Sequence, residues 1–143
     1  MTYSVVAYCP RTGQHGIGIA TYSPNVGARC PIVVPGRGAA SIQAVASPDM
    51  LRHAGRLLDE CLSAEAIVAS LRAADPFPEF RQICVVDAYG RAHAATNSRN
   101  AAWAGHRVGD GFVCAGNVLV GPAVVDAMAD AYEHAIDTVL ADR

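Results

Sequence analysis

Short apolar stretches separated by turn residues fill the first 45 positions, whereas residues 47–75 and 122–142 carry their apolar side chains at spacings of three and four. The first pattern predicts strands and the second predicts helices lying on a core. YSVVAYC (3–9) reads as a strand, PRTGQ as a turn and GIGIATYS (16–23) as a second strand. After PNVGARCP, IVV and GAASIQAV read as two more strands, hinged at Pro35-Gly36. Glycines at 16, 18, 36 and 38 suit close strand packing or bulges, or backbone that approaches a ligand.

Two helices follow. In SPDMLRHAGRLLDECL, Ser47 is the cap, Pro48 holds the first helical position, and apolar residues recur at 51, 54, 57, 58 and 61. In SAEAIVASLRAAD, Ser63 is the cap and the stripe runs through Ala66, Ile67, Ser70 and Leu71. RQICVVD and RAHAATN read as strands joined by Ala88-Tyr89-Gly90, and a third strand falls within HRVGDGFVCAG. The last segment, GPAVVDAMADAYEHAIDTVLAD, reads as one helix with Pro122 in its first turn. Its apolar face takes in positions 124, 125, 128, 131, 132, 135, 136, 139 and 140, opposite Asp126, Asp130, Glu133 and Asp137.

The order is therefore four strands, two helices, three strands and one helix. Tight turns make neighbouring strands antiparallel, and helices in blocks exclude a doubly wound sheet. The first two strands carry small or apolar residues at both parities, as burial on both faces requires. The expected fold is α+β: a four-layer α-β-β-α sandwich of antiparallel sheets in a single domain, with the helix pair on one side and the last helix on the other.

Composition narrows the function classes. Of 143 residues 27 are alanine, the net charge is −2, and all 11 basic residues are scattered arginines, with no lysine. Without a basic stripe or polybasic patch, neither nucleic acid nor a membrane surface is an expected partner. The N-terminus has no secretory pattern and no apolar run reaches membrane-spanning length, so the expected location is cytoplasmic. Cys9, Cys30, Cys61, Cys84 and Cys114 show no paired spacing, and the five histidines are equally dispersed. A metal site is not expected, and no cofactor is.

The candidate chemistry begins at Thr2. Trimming of Met1 would leave a free α-amine beside a hydroxyl, a base and a nucleophile in one residue. The plain alternative is a β-branched residue opening a strand. The chain resembles the DUF1028 family (domain of unknown function 1028), whose members look like N-terminal-nucleophile hydrolases. The matching stretches are MTYSVVA, GIGIAT, GAASIQAVASP, FRQICVVDAYGRAHAAT, WAGHRVGDGFVCAGNVLVGP and VVDAMADAYE. The resemblance implies the four-layer sandwich with Thr2 as nucleophile. It departs at Asn97, where the family tends to have glycine, and at Ala115, where it tends to have glutamine. Family members usually run past position 143 with further strands. A sheet without them implies a homo-oligomer, or a second chain completing the sheet.

Other candidates each have a structural alternative. Asn117, between a strand and the last helix, suits an oxyanion donor or a turn. Gln43 is polar within an apolar strand and either touches a ligand or is satisfied internally. Arg81 suits a carboxylate clamp or a solvated strand end. Trp103 and His106, read as a pair in a glycine-rich loop, would line a pocket wall, with His106 carrying a proton, or anchor the loop. Ser23 and Asn25 would reach Thr2 if the first two strands form a hairpin. The expected function is hydrolysis of a small linear amide by Thr2. The alternative is a catalytically silent module that binds a small molecule or assembles. Without lysine a lysine-assisted mechanism is excluded, and with Met1 retained Thr2 has an amide in place of the free amine.

Overall fold

The computed structural model describes residues 1–143. Eight strands form two antiparallel sheets. β1 (Thr2–Cys9), β2 (Gln14–Thr21), β7 (Trp103–Gly109) and β8 (Phe112–Leu119) form the first, in the order β2-β1-β8-β7. β3 (Pro31–Val34), β4 (Gly38–Ala44), β5 (Arg81–Asp87) and β6 (Ala92–Thr96) form the second, in sequence order. Side chains alternate across each strand. Val6, Val113 and Ala115 of the first sheet meet Ala39, Cys84 and Val86 of the second in a core of small residues. Such residues let two sheets sit face to face with little between them.

The opposite parities face the helices. Ala40, Ile42, Ile83 and Val85 pack under α1 (Pro48–Asp59) and α2 (Ala64–Ala74). Phe112 and Cys114 pack under α3 (Ala123–His134), with Val125, Ala129 and Tyr132. The helix pair and the last helix thus lie on outer faces of different sheets, as the block order predicts. Both caps form: the Met50 amide donates to Ser47 Oγ at 3.4 Å and the Ala66 amide to Ser63 Oγ at 3.2 Å. No helix is long and apolar enough to cross a membrane.

Three details differ from the sequence expectation. The third late strand is two, β7 and β8, joined by Asp110-Gly111, with Gly111 at φ +75°. A two-residue turn of this kind needs that left-handed backbone, which glycine supplies without strain. The buried stripe of α2 is Ala64, Ile67, Val68 and Leu71, so Ala66 and Ser70 flank it. The last helix stops at His134 although apolar spacing continues to Leu140. Arg11 donates to the carbonyls of Asp137 and Thr138, and Arg143 to those of Ile136 and Thr138. The Thr138 hydroxyl turns back to the Ala135 carbonyl. These side chains serve carbonyls that a further helical turn would otherwise have to satisfy.

Leu58 is fully buried between α1 and the second sheet. Leu58→Ala is expected to lower unfolding stability by about 3 kcal/mol, read from urea denaturation.

Candidate functional site

Antiparallel pairing brings the first residues of β1, β5 and β7 and the last of β2, β4, β6 and β8 to one end of the sandwich. Thr2 stands opposite Thr21 on one side and Asn117 on the other, Ala44 opposite Arg81, and Gln82 opposite Thr96. Four of the non-glycine residues with left-handed backbone lie at this end: Asn25 (φ 61°), Ala44 (φ 72°), Ala102 (φ 52°) and Val118 (φ 57°). Ala44 directly follows Gln43, and Val118 directly follows Asn117. Such conformations cost about 1–3 kcal/mol each and concentrate where a fold must aim particular groups. A β-branched residue such as Val118 is the least expected of the four there.

Thr2 shares the inward parity of Ser4 and Val6. Its Oγ lies 3.0 Å from Thr21 Oγ. Thr21 Oγ donates to the Met1 carbonyl at 2.9 Å and accepts from the Ser23 amide at 3.3 Å. With the single Thr21 hydrogen occupied on Met1, the Thr2 hydroxyl is the donor of the pair. Both threonines open on a cleft of about 50 Å³, which Ser23, Arg29, Cys30, Gln43 and Ala44 also line. Burial pushes the Cys30 thiol pKa up, against a smaller opposite effect of Arg29, so this thiol is neutral at pH 7.

Behind the cleft lies a buried polar network. Ser4 Oγ and Ser41 Oγ donate to Gln43 Oε1 at 2.9 and 3.1 Å. Gln43 Nε2 and Asn117 Nδ2 donate to Gln82 Oε1 at 2.9 and 3.1 Å. Gln82 Nε2 in turn faces Thr96 Oγ and the carbonyls of Gly105 and Gly116, each at 2.9 Å. Two hydrogens serve three acceptors, so one is shared. A flipped amide would set oxygen against two carbonyls, which fixes its orientation. Thr96 Oγ lies 2.8 Å from His106 Nδ1. Thr96 Oγ thus links the Gln82 amide, from which it accepts, to the imidazole of His106. Loss of water around the ring lowers the His106 pKa, and neighbouring His93 lowers it further.

The structure distributes the expected residues unevenly. Thr2, Ser23 and Gln43 line the cleft, and Asn117 stands behind it on Gln82. Asn25 caps a 3₁₀ turn (Val26–Ala28) with no side-chain hydrogen bond and lies outside the cleft lining. Arg81 is buried at the strand end, with Nε 2.7 Å and Nη2 3.3 Å from the carboxylate of Asp75 and Nη1 donating to the Val45 carbonyl. Trp103 and His106 belong to β7, not to a loop, and point to opposite sheet faces. The indole packs with the α3 cluster and lies over Gly105, where a Cβ would come within 2.6 Å of the ring. His106 faces Thr96. Three contributors escape the sequence reading: Thr21, Arg29 and Gln82. Only Thr21 had a signal, its position opposite Thr2 in the expected hairpin.

A larger cavity of about 670 Å³ runs beside the β1–β2 turn, lined by Val5, Ala7, Ile17, Tyr132 and Leu140 among others. It holds none of the expected residues, and its Arg143 is occupied by the Ile136 and Thr138 carbonyls. Of the expected residues, Thr2, Ser23 and Gln43 line the smaller cleft instead. No group of three or more His, Cys, Asp or Glu side chains is placed to hold a metal ion.

Residues 2–143 match the model of a family described as a family of unknown function, DUF1028. The fold is similar to the crystal structure of protein SPO2555 from Silicibacter pomeroyi, also described as DUF1028. The TM-score is 0.87 at 28% identity, over 92% of this chain and 61% of that one. This chain thus spans about three-fifths of that protein's length. Comparison with curated proteins gives no match.

Replacing Gln82 by Leu removes partners from the buried groups of Gln43, Asn117, Gly105 and Gly116. Gln82→Leu is expected to cost about 3 kcal/mol, measured by denaturant unfolding. A second expectation concerns pH. His106 should titrate below its ordinary value of 6.5, followed by its ring proton resonances. The unfolded chain then takes up this proton first. The stabilising contribution is complete above pH 6.5 and is lost as pH falls towards the lowered folded value.

Proposed function

This chain belongs to the DUF1028 family, and we propose that it hydrolyses a small linear amide with Thr2 as an N-terminal nucleophile once Met1 is removed. The observation that carries the reading is the hydroxyl chain Thr2–Thr21–Met1 at the mouth of the cleft. Removing Met1 takes away the carbonyl that engages Thr21. It also leaves a free amine on the residue whose hydroxyl already borders the cleft. Two antiparallel sheets with helices on their outer faces, and a nucleophile opening the first strand, support the N-terminal-nucleophile sandwich.

In the proposed reaction Thr2 Oγ attacks the amide carbon and its proton passes to the Thr2 α-amine. Asn117 uses one of its two amide hydrogens on Gln82; the other is the proposed donor to the oxyanion. As the C–N bond breaks, the proton moves from the α-ammonium to the leaving nitrogen. Water then adds to the Thr2 ester, releasing the acid and restoring the hydroxyl. Each turnover consumes one water and yields one carboxylic acid and one amine or ammonia. Without lysine in the chain, the α-amine is the base on which the step relies.

A second reading, a catalytically silent small-molecule-binding or assembly module, is favoured by one observation. While Met1 is present, its carbonyl accepts from Thr21 and the nitrogen of Thr2 is an amide.

The test uses protein shown by intact mass to begin at Thr2, assayed for ammonia release from small linear amides. Thr2→Ala is expected to lower kcat by about a thousandfold or more, Thr2→Ser to retain measurable turnover, and protein that keeps Met1 to be inactive. Equal turnover by Thr2→Ala would leave Thr2 as the start of a strand.

A further inference from the structure

We propose that Arg29 makes the Thr2 cleft selective for small linear amides that also carry a carboxylate, the guanidinium holding the carboxylate while the amide lies at Thr2. The inference rests on the reading of Thr2 as nucleophile and adds the substrate class.

Ten residues line the cleft and none is Asp or Glu; Arg29 is its one charged side chain. The Arg29 backbone is anchored, closing the 3₁₀ turn through its N–H to the Val26 carbonyl at 3.0 Å. Its side chain is exposed and has no hydrogen bond or ion pair within the chain, whereas Arg81, Arg91 and Arg107 each hold a carboxylate. Of the other polar side chains, Gln43 and the threonines are engaged, and the small neutral hydroxyl of Ser23 makes no hydrogen bond within the chain. Gln43 receives Ser4 and Ser41 on its oxygen and gives its amide to Gln82. Thr21 receives Thr2 and, while Met1 is present, gives to its carbonyl. Cys30 stays a neutral thiol, so no anion in the cleft neutralises Arg29. An unopposed guanidinium presents a planar fork of donors that matches a carboxylate in two parallel hydrogen bonds. A cleft of about 50 Å³ encloses only a few atoms. The amide and its adjoining carbon fill it, and a carboxylate further along the chain comes to the rim.

Two probes of equal carbon number, succinamate and neutral butanamide, test this with protein beginning at Thr2. The native protein is expected to prefer succinamate in kcat/KM. Arg29→Gln should narrow that preference by about tenfold, with Arg29→Lys between them. Equal rates for both probes, unchanged in Arg29→Gln, would overturn the assignment of Arg29 and leave Thr2 as nucleophile. Binding to Thr2→Ala protein, followed by amide chemical shifts, separates the two claims. Succinamate binding that weakens about tenfold on adding Arg29→Gln upholds the anion site even if no amide is turned over. Succinamate binding no tighter than butanamide overturns it.

Discussion

The amide of Gln82 joins five partners across the gap between the sheets: Gln43 on its own sheet, Asn117 and the carbonyls of Gly105 and Gly116 on the other, and Thr96 beside it. Elsewhere the inner layer is small and apolar, Val6, Ala39, Cys84, Val86, Val113 and Ala115. Contacts between such side chains set spacing but have little direction. The amide adds direction, because each of its atoms is satisfied only when β4, β5, β7 and β8 end at matching heights. A buried polar group left without partners costs far more than a made hydrogen bond contributes, so the network penalises any slip of one sheet over the other.

That constraint reaches the cleft through chain neighbours. Gln43 and Asn117 are held by Gln82, and the next residues, Ala44 and Val118, take left-handed backbone. Immediately past the network this backbone ends β4 at Ala44 and shifts the β7–β8 register at Val118. Thr2, paired in register with Asn117, sits between these two positions. Its hydroxyl is thus placed by sheet pairing, while Ser23, Arg29 and Cys30 come from the segment after β2. A rigid back wall and a loop-built rim are the usual division between holding a reacting group and choosing what reaches it.

Much of this was legible because its causes are local. Ser47 and Ser63 mark helix starts by composition alone, and the hairpin that sets Thr21 beside Thr2 follows from a short turn between two apolar runs. The overshoot of the last helix has a distant cause: Arg11, 126 residues from Asp137, holds the carbonyls that end it. Trp103 and His106 look like partners because they are close in sequence, yet the period-two geometry of a strand separates them onto opposite faces. Gln82 is the clearest omission. Next to Arg81 at the start of a strand it reads as solvated, and its burial exists only once both sheets are assembled. Arg29 was invisible for the opposite reason: one scattered arginine among 11 gains meaning only from the neutral cleft around it.

The account depends most on the first residue. In the structure the Met1 carbonyl occupies the Thr21 hydroxyl, and catalysis as argued requires that carbonyl to be gone. Intact-mass measurement on the protein isolated from its native host tests this directly. The expected result is a mass one methionine residue below that of the encoded protein, with threonine at the amino terminus. A mass that includes Met1 in all of the isolated protein would contradict it.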